Sequence, residues 1–204
     1  AVERVLAKGK PKGSIILLIT GDEEGININV TKSELEVLKK DGERIDHCLV
    51  GEPTASLRTA DTIKIGRRGS MKVTLTVTGV QGHTAYPQNA LNPIPILAAL
   101  ITKLSEPLDS GSAHFQPSTL VFTTVDVGNP AGNVSPAQAR ASLNIRFNDL
   151  HTPESLLRRI ETTAHDITAE FGGACSLAPR VRGVTFITRP GPFTDLLGTA
   201  IAPV

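Results

Sequence analysis

The sequence has few aromatic residues and few cysteines, and these shortages exclude several classes of protein. Its 204 residues include no tryptophan and one tyrosine, and aromatic residues make up 3%. So few rings cannot form the stacking platforms that bind single-stranded nucleic acid. The net charge of +1 provides no basic field for nucleic acid or an anionic membrane. No apolar run has the length of a membrane span and no signal-peptide pattern is visible, so we expect a cytoplasmic protein.

Several catalytic and binding motifs are also missing. Cys48 and Cys175 form no CxxC pair, so we expect two buried, reduced thiols rather than a redox or zinc motif. The sequence contains neither the GxSxG elbow of serine hydrolases nor a glycine-rich phosphate loop followed by Lys-Ser/Thr. The acidic residues lack the alternating spacing of an EF-hand. These absences leave chemistry that depends on scattered carboxylates, histidines and arginines.

The first quarter of the chain has the pattern of a parallel βαβ unit. Residues 14–20 (SIILLIT) and 45–50 are short, apolar runs rich in branched side chains, which favours strands buried on both faces. Between them, Thr31-Lys32-Ser33-Glu34 resembles a capping box that opens a helix through Lys40. A right-handed connection would make the two strands parallel. We therefore expect part of an open parallel-sheet α/β domain.

The pattern changes after about residue 61 to that of an antiparallel sheet. Met71, Val73, Leu75 and Val77 alternate with polar residues, as in a strand with one wet face. Strands are predicted at residues 71–78, 118–127, 138–147 and 174–184, and helices at 92–104 and 153–171. The order β-α-β-β-α-β is that of the ferredoxin-like fold, with two helices on one face of a four-stranded sheet.

The domain organisation follows from these two patterns. We predict an α/β domain whose first part is residues 1–60 and whose second part is residues 189–204, with the ferredoxin-like domain, residues 61–188, inserted between them. Residues 189–192 (RPGP) are a linker, and a new helix starts at residue 193. Since both ends of the sequence have helical spacing, we expect the α/β domain to be incomplete at both ends.

Acidic residues follow the first predicted strand and the second. Asp22-Glu23-Glu24 come directly after residues 14–20, and Glu52 follows residues 45–50. In an open α/β sheet, ligands bind beyond the carboxyl ends of the strands. Carboxylates converging there suit a divalent cation, and a free carboxylate beside it could take a proton from water. A solvated acidic turn is the alternative interpretation.

Two glycine-flanked loops carry further candidates. The loop GHTAYP presents His83 and the chain's only tyrosine, Tyr86, after an alternating strand, although a surface histidine in a turn would have the same pattern. Asn133, in the turn Gly-Asn-Val, could offer an amide to an oxyanion. Among the other histidines, His47 is expected in the core. The rest are expected to be solvated: His114, His151 and His165.

Arginines supply candidate carboxylate ligands. Arg67 and Arg68 lie between glycines in GRRGS, and Arg146 is on the outward face of its predicted strand. Guanidinium groups bind carboxylates with two parallel hydrogen bonds. A turn with exposed arginines remains the alternative for the first pair.

Taken in order, six motifs resemble the zinc-dependent aminoacylase/carboxypeptidase family. They are GDEEG, GEPT, GRRGS, GHTAYP, the Gly-Asn-Val turn and NIRFND, and the resemblance covers residues 13 to about 197. Each is weak alone, whereas the ordered set is specific. GRRGS, GHTAYP and NIRF favour a member that acts on an N-succinyl amino acid over one that removes an acetyl group.

The resemblance implies a role for each candidate residue. Glu23 would be the general base, Glu24 would bind one of two zinc ions (cobalt being a possible substitute), and Glu52 would bind the other. The inserted domain would be a lid that carries the homodimer contact. His83 would reach across the dimer to polarise the scissile carbonyl. The remaining candidates would hold the oxyanion or carboxylates of the substrate: Arg67, Tyr86, Asn133 and Arg146.

The sequence also departs from the family. The family supplies further metal ligands from an upstream H-x-D motif, a bridging aspartate and a histidine near its C-terminus, and no H-x-D occurs in this sequence. Ser135-Pro136-Ala137 replaces the usual Ile-Pro-Gly beside Asn133. We therefore expect weak or no zinc binding and no turnover from this chain alone. Two alternatives remain open: a related hydrolase of acetylornithine, N-acyl amino acids or dipeptides, and a non-catalytic dimerising module.

Overall fold

The computed structural model describes residues 2–21, 31–52, 54–59 and 61–201, and it divides into two compact units. The first unit is Ala1–Pro53 and the second is Thr54–Val204. The domain boundaries predicted after residues 60 and 188 stay a prediction. Within the described ranges, no helix is both long enough and apolar enough to cross a membrane.

The first unit contains two helices, and none of its described residues belongs to a strand. The helices are α1 (Val2–Leu6) and α2 (Thr31–Lys40). The second has the predicted bounds, and Gly42 follows it with a φ of 79°, a left-handed conformation common for glycine just after a helix. The parallel strands expected at residues 14–20 and 45–50 are absent.

The physical reason lies in what a parallel strand requires. Such a strand needs hydrogen-bonding neighbours at its sides and helices over both faces. Residues 14–20 have neither among the described residues of this unit, and the side chains of Leu17 and Ile19 are 68% and 89% exposed. An apolar run therefore predicts a strand only where the rest of the sheet is present.

Two side chains predicted to be buried in this unit are exposed. His47 and Cys48 both lie on the surface, so the expectations of a core histidine and a buried thiol are wrong at these positions. Both belong to residues 45–50, which have no sheet to enter. Cys175, in the second unit, is a free, half-buried cysteine, and burial raises the pKa of its thiol.

The second unit contains the predicted ferredoxin-like fold. Its elements, in chain order, are β1 (Gly66–Arg67), β2 (Gly69–Thr78), β3 (Gly82–His83), α3 (Pro93–Leu104), β4 (Thr119–Asp126), β5 (Val134–Ser135), β6 (Gln138–Phe147), α4 (Pro153–Phe171), β7 (Ala174–Gly183), β8 (Phe186–Ile187) and α5 (Pro192–Ile201). The main sheet is antiparallel, in the order β4-β6-β2-β7. The mixed α/β fold class and the ferredoxin-like antiparallel domain are thus confirmed.

The core lies between this sheet and the two helices α3 and α4. The predicted inward residues of β2 and β6 are at most 1% exposed: Met71, Val73, Leu75, Val77, Ala139, Ala141, Leu143, Ile145 and Phe147. Leu100 of α3 and Leu156 of α4 are buried against them. The opposite face of the sheet, which we call the outer face, carries the polar residues of the alternation.

Local capping interactions fix where the two helices begin and end. The side chain of Asn92 accepts a hydrogen bond from the N–H of Ile94 at the start of α3. At the start of α4, Thr152 and Ser155 form a reciprocal capping box. Gly172 ends α4 with a φ of 83°, a left-handed conformation that glycine adopts readily.

Candidate functional site

A short ribbon of two strands carries His83 beyond one end of the main sheet. Strand β3 pairs with β5, so that Gly82 lies opposite Ser135 and His83 lies opposite Val134. The ribbon continues from the end of the sheet where Thr78 pairs with Gln138. The predicted loop is therefore part of a two-stranded arm that β3 forms with β5.

The imidazole of His83 is exposed and has a defined orientation. Its Nδ1 accepts a hydrogen bond of 3.1 Å from the backbone N–H of Ala85. A neutral ring with Nδ1 as acceptor carries its proton on Nε2, which is then a hydrogen-bond donor. The ring of Tyr86, also exposed, lies 6.0 Å from the His83 ring, centre to centre. The two side chains predicted in this loop therefore lie together.

Asn133 lies on the facing strand of the same arm. Its backbone carbonyl accepts hydrogen bonds from the N–H (2.9 Å) and hydroxyl (3.2 Å) of Thr84, the residue after His83. Its exposed side chain makes no hydrogen bond with other described residues. Ser135, which replaces the family's usual isoleucine, bonds through its hydroxyl to the N–H and carbonyl of Gly82 at 3.1 Å each. The departure in sequence thus adds a link between the two strands.

The arginine candidates lie at the other end of the sheet. Arg146 is exposed on the outer face, opposite Ser70 of β2, and Ser70 in turn lies opposite Gly183 of β7. The guanidinium of Arg67 lies against Gly183, because a Cβ there would come within 2.8 Å of its Nη2. Arg68, its neighbour, is used differently and donates from Nη1 to the carbonyl of Pro117.

A buried polar network beside these arginines was missed by sequence reasoning. Asp109 accepts hydrogen bonds from four groups: the N–H of Gly111 (2.7 Å), the N–H of Ser118 (3.2 Å), Nδ2 of Asn148 (2.8 Å) and Nε2 of His151 (2.9 Å). Burial alone would raise the pKa of Asp109, but these hydrogen bonds outweigh it and hold that pKa well below its usual range.

His151 was expected to be solvated, and this expectation is wrong. Its side chain is 19% exposed and that of its partner Asp109 is 8% exposed. The sequence offered one signal for this network, the pair Asn148-Asp149 between a predicted strand and a helix cap. It could not show the partner of Asn148 and His151, because Asp109 lies about 40 residues upstream.

The candidate residues therefore form two groups at opposite ends of the sheet. Arg67 and Arg146 lie at the Ser70 end of β2, whereas His83, Tyr86 and Asn133 lie beyond the Thr78 end. Eight residues of extended strand separate Ser70 from Thr78, a length of about 27 Å. A molecule much shorter than this separation cannot contact both groups of the same chain.

The predicted acids give no complete metal centre. Glu23 and Glu24 lie outside the described residues, and Glu52 is an exposed residue of the first unit. The described ranges contain no group of three or more histidine, cysteine, aspartate or glutamate side chains that could hold a metal ion. Since a catalytic zinc site has three protein ligands and an open position, the described donors do not fit one.

Comparison with known proteins defines the class. The family model described as "Peptidase dimerisation domain" matches residues 65–171, which include β1 to α4. The chain belongs to this peptidase dimerisation domain family.

Similar curated proteins share one name. The sequence is 56% identical over 194 residues to succinyl-diaminopimelate desuccinylase of Rhodospirillum centenum, covering 95% of this chain and 49% of that protein. It is 56% identical over 201 residues to the protein of that name from Rhodopseudomonas palustris (96% and 51%). With that of Parvibaculum lavamentivorans the identity is 52% over 205 residues (100% and 52%). The chain spans about half the length of the curated relatives it matches.

Solved structures share the fold at much lower identity. A tripeptidase from Staphylococcus aureus has a TM-score of 0.51 at 15% identity, covering 65% of this chain and 34% of that one. The aminopeptidase PepT from Bacillus cereus has a TM-score of 0.52 at 16% identity, with 65% and 34% covered. At these identities the similarity concerns the fold alone.

Proposed function

We propose that the full-length protein is a zinc-dependent amide hydrolase that converts N-succinyl-LL-2,6-diaminopimelate and water to succinate and LL-2,6-diaminopimelate. The desuccinylases that match nearly all of this chain support the proposal. It places the protein in the cytoplasm, in lysine and diaminopimelate biosynthesis. This chain alone, without a complete set of zinc ligands, is proposed to be inactive.

The mechanism that we propose rests on one observation, the separation of the two groups of candidate residues. The scissile carbonyl and the carboxylates of an acylated amino acid are only a few bonds apart. His83 and Arg146 lie at opposite ends of a strand about 27 Å long, so they cannot serve one substrate in one chain. If both act, each active site combines the arginines of one protomer with the His83 arm of its partner.

Each residue then has one task. Nε2–H of His83, oriented by the bond from Ala85 N to Nδ1, donates a hydrogen bond to the carbonyl oxygen as negative charge develops there. Asn133 and Tyr86 lie on the same arm and hold the substrate beside it. Arg67 and Arg146 bind substrate carboxylates. Glu24 and Glu52 would help to hold zinc, which when bound would supply a water of lowered pKa, and Glu23 would take a proton from that water.

The sheet edges indicate where two copies meet. Strand β7 is an edge strand that carries Pro179 and Arg180, and both proline and charge protect edges from pairing. Strand β4, the other edge, has no proline, and its single charged residue is Asp126 at the far end. We propose that β4 of one protomer pairs antiparallel with β4 of its partner across a twofold axis. The dimerisation-domain match supports this assembly.

The reaction is tested with the full-length protein and two substrates. We expect hydrolysis of N-succinyl-diaminopimelate that depends on zinc, and at least a hundredfold lower kcat/KM for N-acetylornithine, which lacks the succinyl carboxylate. Preference for N-acetylornithine would refute the assignment and favour the deacetylase alternative. No zinc-dependent hydrolysis of either substrate would favour the non-catalytic module.

The shared active site is tested by mixing two inactive variants. Glu23→Gln and His83→Ala chains, co-expressed with different tags, form mixed dimers in which one site has both an intact Glu23 and an intact His83. Random pairing should restore about a quarter of the unmodified activity, since half the dimers are mixed and each has one working site. Mixtures as inactive as each parent would show that His83 serves its own chain.

A further inference from the structure

The outer face of the sheet carries more positive charge than the two arginine candidates. The four strands β2, β4, β6 and β7 contain five basic residues, Lys72, Arg140, Arg146, Arg180 and Arg182, and one acidic residue, Asp126. Asp126 lies opposite Arg140, at the far end of the sheet from Arg146. The remaining cations on this face have no acidic neighbour in the strands.

Two of these cations face each other directly. Lys72 of β2 lies opposite Arg180 of β7, and both side chains are exposed on the outer face. Like charges directly opposite in an antiparallel pair repel and destabilise the sheet. Among the described residues, neither makes a salt bridge or a side-chain hydrogen bond. The Lys72–Arg180 pair thus creates a local positive potential, and a bound anion would stabilise this arrangement of the two side chains.

This pair is next to the candidate carboxylate site. Lys72 lies opposite Asn144 of β6, two residues from Arg146 along that strand. Two residues of strand span about 7 Å, so the Lys72–Arg180 pair lies one repeat from the row that holds Arg146 and Ser70. Arg67 extends the same row, since its guanidinium occupies the space above Gly183. Two positive positions therefore lie next to each other. Arg67 of β1 and Arg146 of β6 form one, and Lys72 of β2 and Arg180 of β7 form the other.

We propose that Lys72 and Arg180 form a second carboxylate subsite beside Arg67 and Arg146, so that this face binds a small molecule with at least two carboxylates. The proposal rests on the proposed function, because it identifies the occupant as the acylated substrate. A dicarboxylate places one negative group on each position and relieves the repulsion between the opposed cations. A monocarboxylate occupies only one position at a time.

The test is direct binding to the full chain, without added metal and at low ionic strength. Succinate is the dicarboxylate probe and acetate the monocarboxylate, and their Kd values are measured by NMR titration. Lys72→Met and Arg180→Gln remove one charge each from exposed positions, so the buried core is unchanged. Arg140→Gln is the matched control, since Arg140 lies on the same face but opposite Asp126.

We expect succinate to bind more tightly than acetate, and each subsite variant to weaken succinate by about tenfold. The control should change it by less than about twofold. Unchanged succinate binding in both subsite variants, or an equal loss in the Arg140→Gln control, would overturn the proposal.

The outcomes separate this proposal from the proposed function. If Arg67→Gln and Arg146→Gln weaken succinate binding while Lys72→Met and Arg180→Gln do not, the second subsite fails and the reaction assignment stands. If the subsite variants behave as expected but the full-length protein hydrolyses no N-succinyl amino acid, the subsite stands and the reaction assignment fails. Failure of the unaltered chain to bind succinate would overturn the second subsite and leave the hydrolysis assay to decide the reaction.

Discussion

The side-chain amide of Asn148 donates a 2.8 Å hydrogen bond to the carboxylate of Asp109, and this bond joins the loop before β4 to the loop before α4. Asn148 is fully buried. Its own N–H donates to the hydroxyl of Ser118, and its Oδ1 accepts from the N–H of Leu150. The pair thus fixes the end of the sheet where Arg146 and Arg67 lie.

Removal of this amide should destabilise the fold measurably. Asn148→Ala leaves the N–H of Leu150 without its acceptor and Asp109 with one donor fewer. We expect a loss of about 2 kcal/mol in the free energy of unfolding, because buried groups without partners cost about 1–3 kcal/mol each. Urea unfolding measures it. The control Asn144→Ala removes an amide from the outer face of β6, the strand that ends just before Asn148, and should change stability by less than about 0.5 kcal/mol. Equal losses in the two variants would contradict the assigned role.

Asp109 should also make stability depend on pH in a defined direction. Its pKa is lower in the folded chain than in the unfolded chain, so its contribution is complete above the unfolded value of about 3.9. The contribution is lost as the pH falls from there towards the folded pKa. The stability difference between the unmodified protein and Asp109→Asn should therefore shrink as the pH falls below about 4. Urea midpoints at each pH measure it, and a difference that does not change below pH 4 would contradict the prediction.

Close packing of Gly69 against Phe147 predicts a clash that a second substitution can relieve. The two residues lie opposite each other in β2 and β6, and a Cβ at residue 69 would overlap the Phe147 ring. Gly69→Ala should lower the free energy of unfolding by about 1–3 kcal/mol. In a Phe147→Leu background the added loss should be smaller, since the two sites are in contact.

The control for this pair is Gly191→Ala, because a Cβ there meets nothing within 4 Å. Its stability should change by less than about 0.5 kcal/mol. If Gly69→Ala lowers the free energy of unfolding as much in the Phe147→Leu protein as in the unmodified one, a contact other than that with Phe147 is responsible.

The two sheet edges should respond differently to an added charge. Val121, on the outer face of β4, is 56% exposed, and Ser176 is an exposed outer-face residue of β7. If protomers pair through β4, Val121→Lys should convert the dimer to a monomer, because lysine protects edges from pairing. Ser176→Lys should remain dimeric. Light scattering after size-exclusion chromatography distinguishes the two, and a monomeric Ser176→Lys protein would point to the β7 edge.

The ferredoxin-like domain was predictable from sequence because its signals are local. Every main strand and helix of the second unit lies within two residues of its predicted bounds, since alternation, capping residues and glycine pairs depend only on neighbouring positions. Residues 14–20 show the limit of such signals. Their apolar pattern predicted a strand, but a strand also needs partners, and the described part of the first unit provides none.

The candidate site was less predictable because it depends on register. Sequence reasoning found His83, Asn133 and Arg146 from motifs, but their distribution over two ends of one sheet follows only from the pairing of β2 with β6. The Lys72–Arg180 pair joins positions that are 108 residues apart in sequence, and Asp109–Asn148 joins two loops. No local pattern specifies either contact.

The strand order has a consequence for synthesis of the chain. Strand β2 lies between β6 and β7, so Val73 pairs with Leu143 on one side and with Pro179 on the other. Ribosomes add about 5–20 residues per second, so on the order of ten seconds pass between the emergence of β2 and that of its second partner. The central strand of the domain is the first of the four to be made and the last to be enclosed. Until β7 has been synthesised, other parts of the nascent chain or chaperones must shield the apolar side chains of β2 from water.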